Sequence, residues 1–339
     1  MNTRCGRPSG VSRRLPAWLH ARLGAIGLAP IAPYGPVDTL EPLSHTRDTM
    51  IGVFDSGLGG LTVLNALVAR FPHVAFTYLG DHAHVPYGNR PSEEVVALTR
   101  GATEALFGRG CRLVLLGCNT ATAVALRRLQ RDWLPGSRWP APEHNIIGIV
   151  APTVEAATQT PWSVTTPQYP QKNLTDRIAV FGTLRTIQSN VFPEEIRKRT
   201  PKVEVIQQVC SELAGAIEAE APGTELERLV KEGIDGALAQ AGGHAPHRAI
   251  LGCTHFPLVE HLFRKHLPPA TRILSQPEVV ADSLEDYLAR KPQFAPRGEV
   301  ASLTLLTTGD PAAVSARAHV FWPNGLKFER LPVKGEGHA

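Results

Sequence analysis

Residues 115–123 read LLGCNTATA, an apolar run that climbs to a cysteine and then breaks into small hydroxyl and amide residues. The run begins upstream as RLVLLG (112–117), and ATAVALRRLQRDW downstream has helical spacing. An apolar run without strict alternation that feeds a helix predicts a parallel strand covered on both faces. Nearly the same phrase recurs as AILGCTHFP, residues 249–257, again with a cysteine where the apolar run ends.

Working outward, the same rhythm fills the chain from residue 51. Strands are predicted at 51–54, 74–80, 112–117, 146–150, 178–182, 203–209, 248–252 and, more weakly, 272–274. The amphipathic segments LTVLNALVARF, EEVVALTRGATEALF, ELERLVKEGIDGALAQA and VEHLFRKHL lie between them. Alternating strands and helices place the chain in the α/β class, with open, doubly wound, mainly parallel sheets. The two halves echo each other. Ser56, at the end of one strand, precedes Cys118 by 62 residues, and Thr183, at the end of another, precedes Cys253 by 70. Two pseudo-symmetric lobes are expected, with a ligand cleft between the carboxyl ends of their strands.

The composition narrows the class further. The chain has 339 residues, 43% of them hydrophobic and 19% charged, as expected for a globular protein with two lobes of ordinary size. Six arginines among residues 1–49 (Arg4, Arg7, Arg13, Arg14, Arg22, Arg47) account for most of the net charge of +4. The remainder is close to neutral and makes no electrostatic case for nucleic acid. No stretch approaches the roughly 20 apolar residues of a membrane span. Residues 1–49, rich in Pro, Gly and Arg, are read as a disordered extension. Residues 161–176, PWSVTTPQYPQKNLTD, are read as a surface loop insertion. Five widely spaced cysteines in a chain of this length predict free thiols in a reducing compartment.

The motifs carry the chemistry. In DSGLGG (55–60) the glycines would let the backbone approach a small anion at a helix N-terminus, with Asp55 as a helix cap in the plainer reading. It is not a phosphate-binding loop, because no Lys-Ser/Thr pair follows at the required spacing. Cys118 and Cys253 each end a strand beside a helix start, where a thiol's pKa is expected to fall. Asn119, Thr120 and Thr254 could add hydrogen bonds to a bound carboxylate. Cys111 and Cys210 are read as structural. No CxxC or HxxxH pairing supports zinc, so no metal is expected. Two thiols across a small anion could remove an α-proton from one face of an amino acid and return it on the other. Asp55 and His255 are the candidate helpers.

On IGVFDSGLGGLTVL, YLGDHAHVPYG, CNTATA, FGTLRTIQS, LGCTHFPLV and LLTTGDP, the chain from 50 to about 320 resembles glutamate racemase, of the cofactor-independent aspartate/glutamate racemase superfamily. The resemblance implies Cys118 and Cys253 as alternating acid and base, with Asp55 and His255 assisting. It implies substrate contacts at Asp55, Ser56, Tyr87, Gly88, Asn119, Thr120, Thr183, Thr186, Thr254 and His255. It also implies no pyridoxal phosphate or other cofactor, and a cytoplasmic supply of D-glutamate for peptidoglycan. The implied lobes are 50–147 with 275–325, and 148–274. Expected partners are the small-molecule substrate glutamate and, for assembly as a homodimer, a second copy of the chain.

Some features depart from the family pattern. His82 and His84 stand where relatives often carry Thr and Arg. They are read as residues of a solvated loop, with the pocket rim near Tyr87 as their functional alternative. Ala151 stands where some relatives carry a Glu before a proline, and that Glu could help the second thiol. The basic helix ALRRLQRDW is read as a solvated face. Racemases of aspartate or hydantoin, and a non-catalytic amino-acid-binding protein on the same fold, are the rival readings. Retention of both cysteines weighs against the last.

Overall fold

The computed structural model describes residues 50–171, 175–296, 301–322 and 325–331. The expected extension over 1–49, with Cys5, and residues 172–174 of the predicted loop lie outside the described residues. The chain alternates strand and helix from its first described residue: β1 (Met50–Asp55), α1 (Leu61–Arg70), β2 (Phe76–Gly80), α2 (Ser92–Gly108), β3 (Cys111–Leu116), α3 (Asn119–Arg128), β4 (Asn145–Gly148) and α4 (Val150–Thr158). There follow β5 (Arg177–Gly182), α5 (Leu184–Gln188), α6 (Val191–Arg199), β6 (Glu204–Val209), α7 (Leu213–Glu218), α8 (Gly223–Gln240), β7 (Arg248–Gly252), α9 (Glu260–His266) and β8 (Arg272–Leu274). The chain ends through α10 (Gln276–Arg290), β9 (Leu303–Thr307), α11 (Pro311–Arg317) and β10 (Glu329–Arg330).

These strands build two wholly parallel sheets among the described residues. One has the order β10-β9-β2-β1-β3-β4 and the other β6-β5-β7-β8. The apolar runs of β1, β2, β5 and β7 are buried beyond at most their first residue, because helices cover both faces of each sheet, while the edge strands β4, β6 and β8 are only partly buried. Val53, Leu113 and Leu115 point to the layer of α1 and α10, whereas Phe54, Val114 and Leu116 point to α2 and α3. In the second sheet Ala179 and Leu251 face α8 and α9, while Val180 and Ile250 face α4 and α6. Each Val, Leu, Ile or Phe among them taken fully out of water contributes about 1.5–3 kcal/mol of burial free energy.

The eight strands read from the sequence are all present, and β9 and β10 add to them. The helix in ATAVALRRLQRDW begins earlier than its periodicity suggests, at Asn119, because Cys118 caps it. The Cys118 Sγ accepts from the Ala121 N–H at 3.5 Å. The loop from 161 is anchored at its start. The Trp162 N–H donates to Glu155 at 2.6 Å, and the Arg199 guanidinium stacks 4.2 Å from the centre of the Trp162 ring. The face read as solvated in ALRRLQRDW carries a lobe-to-lobe ion pair, Arg127 with the buried Glu195. No helix among the described residues is long and apolar enough to cross a membrane.

Candidate active site

Parallel strands deliver their carboxyl ends to one edge of a sheet, and here the two edges enclose a narrow cleft of about 100 Å³. From the first lobe its walls take Ser56 and Gly57 beyond β1, Tyr87 and Gly88 beyond β2, and Cys118, Asn119 and Thr120 at the start of α3. From the second come Thr183 beyond β5, Glu218 at the end of α7, and Cys253, Thr254 and His255 beyond β7. Both cysteines singled out by their sequence context therefore line one cleft, on opposite sheets. Asp55 and Thr186, also expected at the substrate, stand behind this wall. Asp55 is buried, and Thr186 hydrogen-bonds to Thr120 at 3.2 Å and to Thr183 at 3.1 Å.

The two thiols have different surroundings. Cys118 Sγ lies 3.4 Å from the Ser56 hydroxyl. Burial, and then the Asp55 carboxylate, push this thiol up to about 12, against the smaller pull of Ser56 and the Ala121 N–H. The helix start was expected to lower it. Desolvation in a closed cleft outweighs the helix end, and a neighbouring carboxylate adds to it. Asp55 does not cap α1, which starts after Gly60. Its Oδ1 accepts the Gly57 N–H at 2.7 Å, and Thr254 Oγ1 donates to Oδ2 at 3.4 Å. Burial raises the Asp55 carboxyl above its usual range, partly offset by His255 and by the Gly57 and Gly60 N–H groups.

Cys253 Sγ lies 3.6 Å from His255 Nδ1, and His255 Nε2 lies 2.7 Å from Glu218 Oε1. Burial opposes charge on this imidazole, yet Cys253 and Glu218 together hold its pKa well above the ordinary histidine value. Burial likewise opposes charge on Glu218, but His255 keeps its carboxyl below the usual range. Glu218 is the functional residue that the sequence reading missed. Ala151, where a helper carboxylate was sought, lines a separate cavity with Trp162 and Tyr287.

The glycine turn brings the lobes together. A Cβ at Gly59 would sit 2.4 Å from Thr254 Oγ1 and 2.6 Å from the His255 ring, so the room left by the missing side chain is filled by the opposite lobe. The Thr62 hydroxyl donates to the Thr254 carbonyl at 2.9 Å across the same contact.

His82 and His84 are not in a solvated loop. His84 is buried, with Nδ1 2.7 Å from Asp81 Oδ1; Tyr87 donates to Asp81 Oδ2 and Thr308 to Oδ1, both at 2.6 Å. A fully buried carboxylate needs such donors, and it draws the whole turn inward. His82 Nδ1 meets Thr307 Oγ1 at 2.8 Å, and burial lowers this imidazole to about 4. Asp81 could have been noticed in the sequence, since it follows an apolar run as Asp55 ends one. Cys111 and Cys210 are buried free thiols that burial pushes up to about 12. Among the described residues no group of three or more His, Cys, Asp and Glu side chains is placed to hold a metal ion.

No protein-family model matches the chain. Known proteins of similar sequence do. A glutamate racemase from Phenylobacterium zucineum is 50% identical over 281 residues, covering 82% of this chain and 99% of its own length. One from Caulobacter is 46% identical over the same extent. Among solved structures, a glutamate racemase isoform from Bacillus anthracis superposes with a TM-score of 0.72 at 30% identity, over 86% of this chain and all of that one. A shared sequence of this depth, over nearly the full length of those relatives and on the same two-lobed fold, means that this chain belongs to the glutamate racemase family.

Proposed function

We propose that Cys118 and Cys253 are the two acid–base groups with which this glutamate racemase interconverts L- and D-glutamate. The observation that carries the reading is their placement on opposite walls of one small cleft, Cys118 beside the Ser56 hydroxyl and Cys253 beside the His255 imidazole. One sulfur, as thiolate, takes the Cα proton and becomes a thiol; the opposite thiol gives its proton to the other face and becomes a thiolate. Electrons and protons balance within the pair, and no oxidant is consumed. Cys118 rests as the thiol, because burial and then Asp55 push it up to about 12. The substrate ammonium, entering beside it, favours the thiolate and brings it within reach of the reaction. His255, held charged by Glu218, serves Cys253.

Ser56, Tyr87, Gly88, Asn119, Thr120, Thr183 and Thr254 line the cleft and would bind the substrate. Asp55 and Thr186 would act from behind that wall. Donors at the substrate carboxylate, together with exclusion of water, stabilise the carbanion-like state. In this reading the lobes divide as 50–147 with 275–325, and 148–274, a division that the grouping of β5 to β8 in a sheet of their own supports. The enzyme supplies D-glutamate for peptidoglycan in the cytoplasm and assembles as a homodimer, which size-exclusion chromatography with light scattering would test.

The decisive experiment incubates the purified protein with L-glutamate in D₂O without added cofactor. Deuterium at Cα together with D-glutamate is expected. Cys118→Ala and Cys253→Ala should each abolish racemisation; full activity in either variant sinks the two-thiol mechanism. Exchange with aspartate but not glutamate would change the substrate.

A further inference from the structure

Gln276 is the first residue of α10, on the segment where the chain returns from the second sheet to the first, and its side chain is fully buried. A buried amide without a ligand of its own must have partners, and these set its direction. Its Nε2 donates to Thr153 Oγ1 at 2.9 Å and to Asn119 Oδ1 at 3.0 Å, while its Oε1 accepts from Asn119 Nδ2 at 2.6 Å. The orientation of this amide follows from one further contact. Thr153 spends its single hydroxyl proton on the Ile149 carbonyl at 2.6 Å, so towards Gln276 it can only accept. Gln276 therefore presents nitrogen to Thr153 and oxygen to Asn119 Nδ2. The Asn119 amide is locked in turn, with its carbonyl and one N–H engaged. An asparagine carries two amide N–H groups, so one remains, on a residue that lines the cleft.

We infer that Gln276 is a positioning residue for racemisation, orienting the free Asn119 N–H as a donor to the substrate carboxylate. The inference rests on the reading of the cleft as the glutamate site. Ile149 and Thr153 lie where the chain enters the second lobe after β4, and Gln276 lies where it leaves. The chain Ile149–Thr153–Gln276–Asn119 thus sets one substrate donor from both crossings between the lobes. A shift at either crossing turns that donor away from the substrate.

The test is a double-mutant cycle on kcat/KM for glutamate. Gln276→Leu is expected to lower it about 10–100-fold, the loss of one hydrogen bond to a charged group, through kcat as well as KM. In an Asn119→Ala background the same substitution should change it less than about 2-fold, because the residue it positions is gone. An equal loss in both backgrounds would mean that Gln276 is only structural, and would overturn the inference. Thr153→Val guards against misfolding of the glutamine variant. It should cost several-fold in the wild-type background and nothing beside Asn119→Ala; loss in both overturns the inference equally. Asn119→Ala with wild-type kinetics would also refute it, yet leave the two-thiol mechanism to its own cysteine variants.

Discussion

Replacing Glu218 by glutamine tests the electrostatics of the second thiol. In Glu218→Gln the new amide oxygen can still accept from His255 Nε2 at the 2.7 Å that the carboxylate occupies, so the geometry is kept and the charge removed. A hydrogen bond to a charged partner contributes about 1.5–3 kcal/mol, and one pKa unit is about 1.4 kcal/mol, so the imidazolium should lose about 1–2 pKa units. Glu218 keeps 23% of its side-chain surface in contact with water, which favours the lower figure. The sign follows from the direction of the shift. His255 is held well above its ordinary value, so its charged form persists as pH rises; without the carboxylate it discharges sooner. The alkaline limb of kcat/KM should therefore move down by about 1–2 pH units. At a pH above the wild-type limb, activity would fall about 10–100-fold, while well below the variant limb the loss would be small. Steady-state assays from about pH 6 to 10, with the His255 ring proton followed by NMR, measure both quantities. A limb that stays in place, with the imidazole titrating as in the wild type, would refute the assignment of Glu218 as the group that helps keep His255 charged.

Gly59→Ala should drive a methyl into Thr254 and His255. Overpacking of about 1–3 kcal/mol at this lobe contact predicts a lower Tm by calorimetry and at least about a 10-fold loss of kcat/KM, since the displaced groups flank Cys253. Unchanged activity would mean that the lobes separate easily in solution. Because burial and then Asp55 push Cys118 up to about 12, its thiolate should be scarce at neutral pH, and its alkylation by iodoacetamide should be slow and rise with pH. Asp55→Asn removes the charge that adds to burial in raising that thiol, so it should speed this alkylation even as racemisation falls. Peptide mass spectrometry of Cys118 reads the rate, and a slower reaction in the variant contradicts the account.

The order of the strands was legible because a parallel strand covered on both faces is apolar along most of its length, as β1, β3, β5 and β7 are, while the edge strand β6 interrupts its run with Gln207 and Gln208. LTLLT (303–307) interleaves threonine with leucine and was noticed only as part of the LLTTGDP motif; its pairing with β2 makes it a strand. The cysteines were legible for the same reason as the strands, since each ends an apolar run. The acidity of Cys118 was not. Proximity to a helix start is written in neighbouring residues, whereas burial to 6% exposure and the approach of Asp55 depend on closure of the two lobes. Glu218 shows the same limit. It lies 37 residues from His255, at the end of LAGAIE, and nothing in that segment marks it until α7 is packed beside β7. Polar partners drawn from separate elements are set by topology: Gln276 reaches Asn119 across 157 residues, and Thr308 reaches Asp81 across 227.

The unequal backing of the two thiols has a thermodynamic boundary. Enantiomers have equal free energy in water, so their equilibrium constant is unity and kcat/KM must be the same in both directions for any variant of a racemase. Removing Glu218 therefore cannot favour one enantiomer in kcat/KM, although its partner His255 serves only one sulfur. The asymmetry can show itself only in the division between kcat and KM, because that division depends on which protonation state the free enzyme prefers. Cys118 resting as a thiol and His255 resting as a charged imidazolium define such a preference. The enantiomer that reacts with this resting form binds without a prior proton shift. The other must wait for the cysteines to exchange roles, a cost that burial of Cys118 sets and that the substrate ammonium reduces. Progress curves from the two enantiomers should therefore share an initial slope at low substrate and separate at saturation. A separation already present at low substrate would mean that more than one catalyst, or a net consumption of glutamate, is being measured.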